Sequence, residues 1–150
     1  MKKYKTNIDQ VSLIRTPSNV KKVKIQNSVH SNEYLIKLYN SNTIAYNESF
    51  IALYLNRANN TIAWQLVSQG GLTGTIADLQ MIIKGALDCG ASGIILSHNH
   101  PSGNNKPSTS DITLTKKITE AAKMFDISIL DHVIVTRDDG YYSFSDNGLI

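Results

Sequence analysis

Residues 92–111, SGIILSHNHPSGNNKPSTSD, decide how the rest of the chain is to be read. Ser92 to Leu96 is a short, continuously apolar run of the kind expected of a strand buried on both faces. It leads directly into His98. A polar loop containing Gly and Pro follows from Asn99 to Pro107, and Leu114, Ile118, Ala121, Ala122 and Phe125 then space out as the apolar stripe of a helix.

On the C-terminal side, Ile127 to Thr136 (ISILDHVIVT) reads as a further strand, and Asp138, Asp139 and Gly140 as a hairpin turn into YYSF. On the N-terminal side, Ile76 to Cys89 follows a glycine-containing stretch (Gly70, Gly71, Gly74) and places Leu79, Ile83, Ala86 and Leu87 on one helical face. Thr75 and Asp78 favour its start. Glu48 to Asn56 and Thr61 to Gln69 are rich in β-branched and aromatic residues and flank the turn-forming RANN, which predicts a hairpin. Residues 31–39 set Tyr34, Leu35 and Leu38 at helical spacing behind a Ser31 or Asn32 cap. Helices interleaved with strands predict an α/β fold, a mixed sheet with helices packed on its faces.

The chain of 150 residues, 41% of them hydrophobic, matches one domain able to bury its own core, so a metal is free to serve function and not folding. One cysteine, Cys89, excludes an intrachain disulfide, and no apolar stretch follows the N-terminal lysines to make a signal peptide; both predict a cytoplasmic protein. The longest apolar runs fall far short of a membrane span of about 20 residues. The net charge of +3 is uneven, because seven Lys/Arg face Asp9 alone within residues 1–24. Residues 1–27 therefore read as a basic arm and 28–150 as the domain. Such an arm suits weak contact with nucleic acid, or is simply solvated.

His98 and His100 are one residue apart, so on extended chain both side chains leave the same side, as two ligands of one ion require. Asp111, at the start of the predicted helix, can complete a His2Asp set with the fourth position open to water, the arrangement of catalytic zinc. The same residues admit a plainer account, with both histidines bonded to backbone and Ser108 and Asp111 forming a helix capping box.

The spacing His-x-His, seven residues, Ser108, two residues, Asp111 resembles the JAMM motif of JAB/MPN-type metalloproteins. The HNHPSG run, Pro107-Ser108 and LDHVIV at 130–135 are similar to its RadC-like branch, and the resemblance extends from about Ser28 to Ile150. It implies a three-layer α/β fold related to that of the cytidine deaminases. It also implies a zinc site of hydrolase type, with His98, His100 and Asp111 as ligands and Ser108 as donor to an oxyanion. An upstream glutamate is implied as general base and then general acid. Glu48 opens the first hairpin strand at the matching place, with Glu33 as its rival; Glu120 lies too deep in its helix, and Asp78 reads as a helix-start charge. The substrate would be a peptide or an isopeptide-linked protein.

His132 reads as a hydrogen-bonded strand histidine, with orientation of a metal ligand as the alternative. His30 reads as a surface residue and Cys89 as a small buried side chain. The RadC-like label also brings a second functional class, a DNA-repair accessory module touching nucleic acid through the arm. No recognisable DNA-binding motif supports that class. Steep salt dependence of DNA binding would separate the two.

Overall fold

The computed structural model describes residues 11–12, 14–70, 77–138 and 140–150. Gly71, Gly74, Thr75, Ile76, Asp139 and the first ten residues of the arm, all used above, lie outside the described residues.

Among the described residues, five strands form one sheet in the order β2-β1-β3-β4-β5: β1 Ser49–Leu55, β2 Thr61–Gln69, β3 Gly93–Asn99, β4 Ser128–Val135 and β5 Tyr141–Ser143. β3 and β4 run parallel and the other pairs antiparallel, so the sheet is mixed, as expected. β1 and β3 are buried along their whole length, which accounts for the continuous apolar run that opens β3 and for the apolar, aromatic content of β1. The first hairpin closes through Asn59, a residue at φ 61 that tolerates the left-handed region.

Alternation along the strands divides the core in two. Ile51, Leu53, Leu55, Ile95, Val133 and Val135 pack against Tyr34 and Leu35 of α1 (Ser28–Leu35). Phe50, Ala52, Tyr54, Ile94 and Leu96 pack on the other face against α2 (Leu79–Cys89) and α3 (Thr109–Lys123). Three layers result. Ile25 joins the α1 side of the core, and Lys24 bridges to Asn60, so this part of the N-terminal region lies against the sheet.

Several local expectations need correction. The first helix starts at Ser28, because Asn27 caps it by accepting from the His30 amide; Ser31 is an interior buried residue, and Ile36–Leu38 continue as a 3-10 turn. In α2, capped by Asp78, the buried stripe is Ile82, Ile83 and Ala86, while Leu87 is exposed. β3 runs on through Ser97, His98 and Asn99, so the loop starts later than predicted. α3 ends at Lys123 and the chain reverses at Asp126, φ 56, which leaves Phe125 half exposed; Thr115 takes a buried place on the helix instead.

Candidate metal centre

His98 lies in β3 on the face covered by α2 and α3, paired in register with Phe50 of β1, whose ring stacks parallel to the imidazole at 6.0 Å. It is almost fully buried. His100 follows one residue past the strand. There the chain turns through Pro101, Ser102 and Gly103, whose φ of 80 suits glycine and lets its amide bond back to the His100 carbonyl at 3.0 Å. The turn returns the Asn104 carbonyl to His100 Nδ1, 2.6 Å away.

Asp111 comes from the first turn of α3. Ser108 is the N-cap of that helix, its Oγ accepting from the Asp111 amide at 3.1 Å while Asp111 Oδ2 accepts from the Ser108 amide at 2.7 Å. The capping box is therefore present, and the same geometry aims the carboxylate at the histidines. Asp111 Oδ1 lies 3.4 Å from His98 Nε2, and Oδ2 3.7 Å from His100 Nε2. The two Nε2 atoms are 2.9 Å apart. Among the described residues, these three side chains form a group whose ligand atoms all lie within 4.8 Å of one another.

The donor set fits zinc. Tetrahedral ligands at roughly 2.0–2.1 Å from an ion stand about 3.3 Å apart; the two imidazole nitrogens are 2.9 Å apart, and one oxygen of Asp111 lies 3.4 Å from His98 while the other lies 3.7 Å from His100, so small side-chain shifts bring one carboxylate oxygen into such a set. Two imidazole nitrogens and a carboxylate turned toward one point repel unless positive charge lies between them. Accordingly, the Asp111 carboxylate beside His100 raises the pKa of that imidazole, burial opposes the rise, and the Asn104 carbonyl and the charge of Glu48 add to it. Burial pushes the Asp111 carboxyl up, yet the contacts with His100, His98 and Ser108 prevail and hold it well below the usual carboxylate range.

Glu48 precedes β1, half-buried; continuing the strand alternation one residue before Ser49 would put it on the side of Phe50 and His98, and its charge acts on Tyr39, on the α1 side, as well as on His100. Extending the β1–β3 register by two residues sets it opposite His100, in keeping with its charge acting on that ring. Its rival Glu33 is exposed on α1, across the sheet. Glu120 is nine residues beyond Asp111 on α3, about 13 Å along the axis. His30 is half-buried on α1, and Cys89 is half-buried at the end of α2, where burial raises its thiol pKa.

Sequence reasoning missed two residues. Asn99, between the histidines, points to the α1 face and is fully buried. Its Oδ1 accepts from the Ser49 amide at 2.7 Å, and its Nδ2 donates to the carbonyls of Ile44 and Asn47 at 2.7 and 2.9 Å. It thereby brackets Glu48. Thr115 on α3 bonds at once to the Asp111 carbonyl and to His132.

Comparison with known proteins identifies the family. The model of the RadC-like JAB domain family matches residues 25–149. A UPF0758 protein of Flavobacterium johnsoniae is 47% identical over 102 residues, 68% of this chain and 44% of its own length. One from Methanococcoides burtonii is 37% identical over 137 residues, 91% of this chain and 57% of its own. UPF0758 protein YfjY of Escherichia coli is 39% identical over 103 residues, 69% of this chain and 64% of its own. The chain thus spans about half the length of the curated relatives it matches.

Proposed function

This chain belongs to the RadC-like JAB domain family, and from that premise we propose that it is a zinc-dependent metallohydrolase of peptide or isopeptide bonds. The observation that carries this reading is the convergence of His98 Nε2, His100 Nε2 and the Asp111 carboxylate on one point, with Glu48 close enough for its charge to act on His100.

His98, His100 and Asp111 would hold the ion, which when bound supplies Lewis acidity and brings the pKa of water to about 7. The remaining work falls to the chain. Glu48 takes a proton from the attacking water and returns it to the leaving amine, so that one carboxylate serves as base and then as acid. The Ser108 hydroxyl uses a lone pair for the Asp111 amide, which leaves its proton to be donated to the oxygen that gains charge as the carbonyl carbon becomes tetrahedral. Phe50 packs on His98 and His132 and Phe144 on His132, so the inner side of the histidine cluster is apolar, which strengthens the electrostatic contacts made there.

Screening peptides and isopeptide-linked conjugates with zinc-loaded protein, with a chelator control, tests the activity. Glu48→Gln should lower turnover by about 10² to 10⁴ while zinc is retained, since the base does not touch the ion. Full activity in that variant would move the base elsewhere. A second reading, nucleic-acid contact, draws on the exposed Lys21, Lys22 and Lys24 of the basic arm. Binding to DNA that does not weaken as salt rises would rule it out.

A further inference from the structure

His132 of β4 is fully buried, its ring stacked on Phe144 at 4.6 Å and meeting the edge of Phe50 at 5.4 Å. Its amide is bonded to Asp131 Oδ1 at 2.7 Å, and Asp131 is itself bonded to Ser143 and to the Ser145 amide. The ring therefore has little freedom to turn. Both its nitrogens are engaged, Nε2 with His98 Nδ1 at 2.8 Å and Nδ1 with Thr115 Oγ1 at 2.6 Å.

The direction of every bond in this chain follows from its far end. Thr115 Oγ1 lies 2.7 Å from the Asp111 carbonyl, which only accepts, so the hydroxyl donates there. Its one proton being spent, the hydroxyl accepts from His132 Nδ1–H. A neutral imidazole protonated at Nδ1 has a bare Nε2, and that nitrogen accepts from His98 Nδ1–H. His98 is left with its Nε2 lone pair facing His100 and Asp111. The Asn104 carbonyl does the same for His100, accepting from Nδ1–H and leaving Nε2 to the shared point.

We propose that His132 and Thr115 form a positioning relay, running from the main chain of one metal ligand, Asp111, to the ring of another, His98, that fixes His98 as an Nε2 ligand. The relay rests on the metal-centre reading for its purpose, though not for its hydrogen bonds. It couples the helix that supplies the carboxylate to the strand that supplies the imidazole, so ring and carboxylate are set together. A donor bond at the second nitrogen also raises ligand basicity, and loss of such a partner typically weakens metal binding 10- to 100-fold.

Imidazole ¹⁵N spectra of the metal-free and zinc-loaded protein near neutral pH read the tautomers directly. Nδ1 of His98 and Nδ1 of His132 should both carry protons in both forms; a bare His98 Nδ1 overturns the relay. Thr115→Val, which keeps the shape and removes the hydroxyl, should raise the zinc dissociation constant about 10- to 100-fold, and Thr115→Ser should restore it to within about threefold. A Thr115→Val protein that melts earlier but holds zinc as tightly as the parent, with His98 unchanged, assigns Thr115 to packing alone and refutes the proposal. Where Thr115→Val does not fold, the parent spectra and Thr115→Ser still decide. A parent that takes up no zinc would sink the metal reading, while the spectra would still judge the relay.

Discussion

Replacing Asn99 with alanine removes a three-way clamp, and the consequences can be worked from its bonds. The side chain is fully buried and holds the Ser49 amide and the carbonyls of Ile44 and Asn47. Leaving a main-chain group unpaired costs about 1 kcal/mol at the low end, so with three such groups Asn99→Ala should cost about 3 kcal/mol or more. For a domain of this size that lowers the melting temperature by about 6–12 °C, at 2–4 °C per kcal/mol. Thermal and urea unfolding of parent and variant measure this. Zinc content should hold, because Asn99 faces away from the ligands, whereas turnover should fall, because Glu48 sits between the clamped residues 47 and 49. A melting point within about 2 °C of the parent would refute the clamp.

Ser108→Asp preserves the cap, since aspartate accepts from the helix amide as serine does, but an ionised carboxylate donates nothing to an oxyanion. Stability should survive and kcat fall by about 10² to 10³, with zinc measured on the same sample; unchanged kcat at full zinc would leave Ser108 as a cap only. Burial holds the His132 pKa well below its ordinary value. The folded ring resists the proton that the unfolded one gains below about pH 6.5, so metal-free protein loses stability as pH falls through that range. His100 has the opposite sign: its raised pKa contributes stability below about pH 6.5 that is lost as pH rises through the folded value. Comparing parent with His132→Gln isolates the first effect, and parallel pH profiles for the two would contradict it.

The parts of the site that were legible in the sequence are those set by local rules. Strand alternation puts His98 and His100 on one side, and a helix start accounts for Ser108 and Asp111, so the clustering of His98, His100 and Asp111 was legible within a stretch of fourteen residues. The mixed sheet with helices on both faces was legible for the same reason, from unbroken apolar runs alternating with helical stripes. Asn99 was not, because its partners lie 50 to 55 residues away and an asparagine between two histidines carries no local signature. Thr115 looks like any polar helix residue until β4 is laid beside α3. His132 was half legible, correctly placed on a strand but without the contact to His98 that explains its burial. Phe125 misled because periodicity continued past the residue at which the helix ends.

The metal content of the purified protein tests the assigned centre most directly. Elemental analysis should find about one zinc per chain in the parent and essentially none in the His98→Ala, His100→Ala double variant, with both proteins folded. Zinc bound equally by parent and double variant would place the ion elsewhere and contradict the assignment.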